Sequence, residues 1–180
     1  MNTLYFIAIL PHSGLQKEVT ELKKHMAVNF QSKAALTSPP HITLYPPFRE
    51  KEENETGIID SLSRFAAGQK QFELRLNGFG CFSPRTIFIK PEENNLLNSM
   101  QANLLLHLKA TSGLRDTKNS KAYHAHMTIA TRDLEKPMFF KAWNELRDKE
   151  FFRTFSVNSI ALLKHNGKCW DILKEFVFPC

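Results

Sequence analysis

The sequence predicts an α+β protein with mainly antiparallel strands, and three observations lead to this fold class. Strand-like and helix-like patterns alternate along the 180 residues. Short turn signals such as Asn166-Gly167 join neighbouring strand-like runs, which is typical of β-hairpins. The third observation is a four-residue motif that occurs once in each half, with a helical pattern before and after it. The repeat indicates a degenerate duplication, so the two motifs are expected near a pseudo-two-fold axis.

In the first half of the chain, the pattern of polar and apolar residues predicts a strand, a helix, a strand and a helix. An apolar run leads to Pro11, and Ser13 with Gln16 forms a capping-box pattern before apolar residues at helical spacing. The pair Pro46-Pro47 follows the first motif and is expected to end its strand. The expected elements are a strand over 4–10, a helix over 13–30, the motif strand from 41 to Pro46, and a helix near 58–65.

In the second half, the same kind of pattern predicts a pair of strands, a helix, a strand, a helix and a closing hairpin. Asn77-Gly78 interrupts the first of these strands as a turn or bulge signal. The expected elements are strands over 72–76 and 86–89, a helix over 97–108, a polar loop over 113–121, the second motif strand over 123–130, a helix over 139–146, and a hairpin over 157–164 and 169–178. No linker separates the halves, so we expect a single domain over 1–180.

The repeated motif has the form His-apolar-Thr-apolar, and its two copies are His41-Ile42-Thr43-Leu44 and His126-Met127-Thr128-Ile129. Alternation of polar and apolar residues is typical of a half-buried strand. Residues i and i+2 share a face of a strand, so each histidine lies beside its threonine on the open face. Two copies predict a paired site with two imidazoles and two hydroxyls; the alternative is that both histidines are ordinary edge-strand residues.

Composition narrows the classes of function. The formal net charge of +6 favours an anionic partner such as RNA or a nucleotide, although a basic surface without such a role is the alternative. No apolar run approaches the roughly 20 residues that span a membrane. The three cysteines form no Cys-x-x-Cys pair. We therefore expect a cytoplasmic protein with no membrane segment and no disulfide framework.

With these motifs the chain resembles the 2H phosphoesterases, in particular the bacterial 2′-5′ RNA ligase-like or 2′,3′-cyclic nucleotide phosphodiesterase group. That family carries two His-x-Ser/Thr-x motifs, one in each half. The tract over 76–84, followed by Ile87-Phe88-Ile89, resembles the strand pair between the motifs. Ala125 departs from the proline that often precedes the second motif. The resemblance implies a bilobal fold with antiparallel sheets lining a central groove and helices outside, no metal or other cofactor, and action on 2′,3′-cyclic phosphates or 2′-5′ linkages.

The motif residues suit phosphodiester hydrolysis. One histidine can deprotonate the attacking oxygen while the other protonates the leaving oxygen. The hydroxyls of Thr43 and Thr128 can donate hydrogen bonds to the non-bridging oxygens of the phosphate. We expect His41, Thr43, His126 and Thr128 to be catalytic; which histidine is the base stays open. Metal catalysis is the less favoured alternative, because the sequence contains no His-x-x-His pair and no cysteine cluster.

Three neighbours of the motifs are candidate substrate-binding residues. His124 shares a face with His126 if the strand continues, and Tyr45 shares a face with Thr43, where it could stack on a base. Arg132 could contact a phosphate. The alternatives are a solvated His124, a packed Tyr45 and a solvated Arg132. We expect a monomer that acts on an RNA terminus or a small nucleotide, without an obligate protein partner or a membrane; a non-catalytic nucleotide-binding module and 2′-5′ RNA ligation in the reverse direction are the alternative functions.

Overall fold

A computed structural model of the chain describes residues 2–112, 114 and 123–179. Within these residues the chain forms four α-helices and eight strands. The helices are α1 Ser13–Phe30, α2 Glu55–Ala67, α3 Asn95–Ser112 and α4 Lys136–Leu146. The strands are β1 Asn2–Ile9, β2 Ile42–Lys51, β3 Phe72–Phe82, β4 Thr86–Pro91, β5 Met127–Ala130, β6 Phe152–Val157, β7 Ser159–His165 and β8 Trp170–Val177.

The strands form one sheet in the order β6-β3-β4-β5-β2-β1-β7-β8, and every neighbouring pair is antiparallel. The two motif strands, β2 and β5, are neighbours in the middle, with three further strands on each side. The units β1-α1-β2 and β4-α3-β5 repeat the same order of elements. The predicted α+β class and the pseudo-duplicated, antiparallel arrangement are confirmed.

The hydrophobic core lies between one face of this sheet and the helices. All four helices contribute their apolar stripes to one cluster that also contains the inward-facing residues of the strands. Burial of each large aliphatic side chain in such a cluster stabilises the fold by about 1.5–3 kcal/mol. The other face, which we name the open face, carries a smaller cluster of Phe6, Ala8, Leu10, Ala161 and Leu163. Because the helices cover only one face, the open face is accessible to a ligand.

Two expectations about the ends of elements are wrong. The N-cap of α1 is His12, whose Nδ1 accepts a hydrogen bond from the backbone N–H of Leu15 at 3.3 Å; the side chain of Gln16 instead donates to the carbonyl of Pro11. Strand β2 continues through Pro46 and Pro47 to Lys51. The prolines lie where the register between β1 and β2 shifts, so the ladder needs no N–H from them.

The second half also differs from the expectation in two places. Strand β5 is four residues long, and 123–126 lead into it without strand geometry. Strand β6 was not expected, because only Phe155 and Val157 of its six residues are buried and the alternation is short. The turn signals are confirmed: Gly78 (φ +66°) lies at a register shift within β3, and Gly167 (φ +98°) lies between β7 and β8. The polar stretch over 113–121 lies outside the described residues, apart from Leu114.

Candidate active site

One backbone pair brings the two motifs together. Ile42 at the start of β2 lies opposite Met127 at the start of β5, and both side chains are fully buried in the core. Residues that flank such a pair point to the other face of a sheet. The motif histidines and threonines therefore lie on the open face, where all four are partly exposed.

The antiparallel direction decides which motif residues are neighbours. When the antiparallel register of Ile42 and Met127 is extended by one residue in each direction, His41 falls across from Thr128 and Thr43 across from His126. Opposite residues in an antiparallel pair have Cβ atoms about 4.5–5.5 Å apart, and diagonal residues about 7–8 Å apart. The two imidazoles occupy diagonal positions, each with a threonine hydroxyl beside it, so one small anion can contact all four groups.

Both imidazoles are oriented by their own backbone in the same way. The Nδ1 of His41 lies 2.7 Å from the carbonyl of Pro39, and the Nδ1 of His126 lies 2.8 Å from the carbonyl of His124. A carbonyl can only accept, so Nδ1–H is the donor in both cases. Each neutral imidazole therefore keeps Nε2 as its proton acceptor, and each protonated imidazole carries its acidic proton there.

The two imidazoles are biased towards the neutral form. Burial lowers the pKa of His41 to about 4; the Pro39 carbonyl opposes this shift, and the positive charges of Lys23 and His126 add to it. Burial also lowers the pKa of His126, against the effect of the His124 carbonyl and together with the charge of His124. A bound phosphate would favour the charged form of either ring.

A cavity of about 200 Å³ lies on the His41 side of the pair. His41, Thr43, Thr128 and Arg132 line it, together with Phe6, Ala34, Ala35, Thr37, Ser38, Pro47, Thr131 and Trp170. Aromatic rings flank both imidazoles. The ring centroid of Phe6 lies 4.8 Å from that of His41 and 4.6 Å from that of Trp170. On the other side, the ring centroids of Phe82 and Phe88 lie 5.1 and 5.4 Å from that of His126.

A family model described as the 2′-5′ RNA ligase superfamily matches residues 11–168. The chain belongs to this superfamily. Curated relatives are similar over nearly the whole length. A candidate phosphoesterase of Oceanobacillus iheyensis is 28% identical over 96% of each chain, and one of Geobacillus kaustophilus is 29% identical over 96% of this chain and 95% of the relative.

Solved structures show the same fold. Escherichia coli LigT in complex with 3′-AMP superposes with a TM-score of 0.72 at 18% identity and full coverage of both chains. A protein of Thermus thermophilus superposes with a TM-score of 0.68 at 19% identity over 97% of each chain. These likenesses establish the 2H phosphoesterase fold for this member of the 2′-5′ RNA ligase superfamily.

Tyr45 is a correction to the expected site. Thr43 pairs with Ala8 on the open face, but Tyr45 pairs with Ile7, which faces the core. The register shift places one extra residue, Leu44, on β2, so the alternation is broken and Tyr45 is only 2% exposed. A bulge of this kind flips every side chain after it. Tyr45 therefore packs in the core and does not face the groove.

The other two neighbours of the motifs lie near the pair. His124 is exposed; its ring lies 6.5 Å from that of His126 and 5.2 Å from that of Phe82. It borders a separate shallow pocket, so it lies at the rim and not in the cavity. Arg132 lines the cavity directly.

Two residues that sequence reasoning missed hold the segment before His41. The carboxylate of Asp133 accepts from the hydroxyl of Ser32 and from the backbone N–H groups of Lys33 and Ala34, at 3.0, 2.7 and 2.9 Å. It thereby joins the loop after β5 to the loop before β2. Nothing in the sequence near Asp133 indicated this contact, because its partners are about 100 residues away.

Lys23 is the second support. Its ammonium is buried beneath the cavity wall and donates to the carbonyls of Ala35 and Ser38 at 2.9 and 3.0 Å. Burial lowers its pKa to about 8. A signal was present in the sequence, since Lys23 interrupts the apolar stripe of α1 between Val19 and Met26.

Over 2–112, 114 and 123–179, no three His, Cys, Asp or Glu side chains lie close enough together to hold a metal ion. Within the same ranges, no helix is both long and apolar enough to cross a bilayer.

Proposed function

We propose that the protein is a metal-independent phosphoesterase that hydrolyses a 2′,3′-cyclic phosphate or a 2′-5′ phosphodiester, on an RNA end or a nucleotide. The observation that carries the proposal is the diagonal arrangement of His41 and His126, each with its Nδ1 bound to a carbonyl and its Nε2 left for proton transfer. Membership of the 2H phosphoesterase fold and the phosphoesterase names of the relatives support it. LigT, a structural neighbour, binds 3′-AMP.

The mechanism needs one neutral and one protonated imidazole. The neutral ring takes a proton at Nε2 from the attacking water as its oxygen bonds to phosphorus. The protonated ring gives its Nε2 proton to the leaving ribose oxygen as the P–O bond breaks. One ring gains a proton while the other loses one, so the pair still carries one proton after the step. Each transfer contributes roughly 10²–10⁴-fold. The hydroxyls of Thr43 and Thr128 hold the non-bridging oxygens between the rings.

Phosphate binding supplies the required protonation. Near pH 7 both rings are largely neutral in the free protein because burial lowers both pKa values. An anionic phosphate between them favours one added proton, while two protons would place like charges in contact. The substrate therefore helps to create the singly protonated pair that acts on it.

The test is turnover of a substrate panel in EDTA. The panel contains a nucleoside 2′,3′-cyclic phosphate, a 2′-5′ dinucleotide and a 3′-5′ dinucleotide as the comparison. We expect hydrolysis of one of the first two without added metal. Complete loss of activity in EDTA, restored by zinc or manganese, would contradict the mechanism. Tight nucleotide binding without turnover would instead identify a binding module.

The roles of the two histidines can be separated with an activated substrate. A phosphodiester with a nitrophenyl leaving group needs no general acid, because nitrophenolate leaves without a proton. The alanine variant that lacks the acid should keep near wild-type turnover of this substrate, while the variant that lacks the base should not. His25→Ala is the control, since His25 lies on α1 against Glu145 of α4, away from the groove.

A further inference from the structure

The cavity beside His41 is too small for a whole nucleotide substrate. Its volume is about 200 Å³, whereas sites that enclose small-molecule ligands commonly measure about 300–1,000 Å³. A phosphate and part of its ribose fill this space. The remainder of a nucleotide must extend over the neighbouring surface.

A second groove of about 520 Å³ borders the cavity at Arg132, which lines both. Its wall carries three cationic side chains, Arg85, Arg132 and Lys136, against one carboxylate, Glu135. The rest of its lining is proline and leucine. The local charge is therefore positive next to the site of the scissile phosphate.

Within the part of the chain that the structure describes, the three cations form no competing ion pair. Among the described residues, none of Arg85, Arg132 and Lys136 lies within ion-pair distance of a carboxylate, whereas Lys164 bonds two glutamates and Arg153 bonds Glu18. All three are exposed. Free guanidinium and ammonium groups are the usual protein donors to phosphate oxygens.

The position of Arg132 is fixed by its surroundings. Its φ of +57° is in the left-handed region, which is uncommon for residues other than glycine. The next residue is Asp133, whose three hydrogen bonds to the segment before β2 hold this turn. Strained backbone persists where neighbouring contacts over-determine it, and it is concentrated at ligand sites. The turn places Arg132 at the border between the cavity and the second groove.

We propose that the second groove binds another phosphate group of the same substrate, one nucleoside away from the phosphate held by the histidines. This rests on the proposed function and narrows its substrate class. The preferred substrate carries two phosphate positions, as an oligonucleotide end or a nucleotide pyrophosphate does, and is not a mononucleoside cyclic phosphate. Arg132 lies between the positions, and Arg85 and Lys136 serve the outer one.

The test is a ratio of affinities, measured by calorimetry for adenosine 3′-monophosphate and adenosine 3′,5′-bisphosphate. The wild-type protein should bind the bisphosphate about tenfold or more tightly, the gain expected for one charge-assisted phosphate contact. The double variant Arg85→Gln, Lys136→Gln should bring the ratio close to one. Lys141→Gln removes an exposed charge from the same helix outside the groove and should keep the wild-type ratio.

Three outcomes overturn the proposal: a wild-type ratio near one, equal ratios in the double variant and Lys141→Gln, or no binding of either ligand. Because the experiment measures binding, it tests the second groove even if the protein hydrolyses no substrate, in which case only the proposed function fails.

A second experiment separates the two sources of the outer phosphate. It compares the affinities of a dinucleotide with a 3′-phosphate and of a nucleotide pyrophosphate with the same 3′-phosphate. The ligand whose gain in affinity over adenosine 3′-monophosphate is lost in the double variant identifies the chemistry that the groove accepts.

Discussion

At the scale of single residues, each motif histidine is oriented by a carbonyl two residues before it. Pro39 serves His41, and His124 serves His126, at nearly equal distances. The contact is local in sequence, so each half of the duplication orients its own imidazole. In the proposed mechanism the two halves need only lie close together, so that one phosphate can reach both Nε2 atoms.

Removal of either histidine should lower kcat by about 10²-fold or more, since each variant loses a proton-transfer group. The variants are His41→Ala and His126→Ala. Thr43→Ala and Thr128→Ala should lose less, because each removes one neutral hydrogen bond. Steady-state kinetics on the preferred substrate gives these values.

The double histidine variant is a stricter check of the same mechanism. Groups that act as a unit are not additive, so this variant should be little worse than the worse single variant. If the loss of kcat in the double variant equalled the product of the two single losses, the two histidines would act independently. Wild-type kcat in either folded single variant would rule out acid–base catalysis by this pair.

At the scale of elements, the site depends on the pairing of β2 with β5, which rests on Ile42 and Met127. Ile42→Ala and Met127→Ala should each lower the free energy of unfolding by about 2–5 kcal/mol, because each leaves a cavity in a filled core. Urea denaturation measures the change. Leu96→Ala, at a site that is 61% exposed on α3, should change it by less than about 0.5 kcal/mol. Similar values for all three variants would show that the pair is not a packing centre.

The hydrogen bonds that Asp133 accepts from the segment before β2 give a second prediction for an element. Asp133→Asn removes the negative charge and leaves one acceptor oxygen in place of two for the hydroxyl of Ser32 and the N–H groups of Lys33 and Ala34, so we expect a loss of about 1–3 kcal/mol in stability and a fall in kcat/KM as the loop before His41 loosens. Asp148→Asn is the matched control, since Asp148 is an exposed aspartate beside Arg147. Equal melting temperatures and equal kcat/KM in the two variants would show that the hydrogen bonds of Asp133 support neither the fold nor the site.

At the scale of the whole molecule, the partly buried His41 couples stability to pH. The pKa of His41 is about 4 in the folded protein, below the ordinary value of 6.5, so the unfolded chain binds more protons between these values. Stability from this group is fully present above pH 6.5 and is lost as pH falls towards 4, by up to about 3 kcal/mol. Unfolding of His41→Gln should depend less steeply on pH in this window, as measured by urea denaturation at pH 4.5 and 7; parallel curves would contradict the shift.

The elements of the fold differ in how far local sequence patterns predict them. Alternation and helical spacing predicted the four helices and most strands, because both depend on local patterns of burial. The same alternation failed at Tyr45, where one extra residue on β2 exchanges the two faces. It also failed for β6, whose exposed edge shows little alternation. Bulges and edge strands are decided by the neighbouring strand, which a local pattern does not contain.

The sequence by itself determined the fold class, the two motifs and the motif residues that face away from the core, because these follow from side-chain periodicity along one segment. Only the tertiary structure decided that β2 and β5 are neighbours, that Lys23 and Asp133 support the loop before His41, and that Arg132 borders a second basic groove. These features join segments up to about 100 residues apart. Their physical basis is long-range pairing and burial, and such contacts have no period in the chain from which they could be predicted.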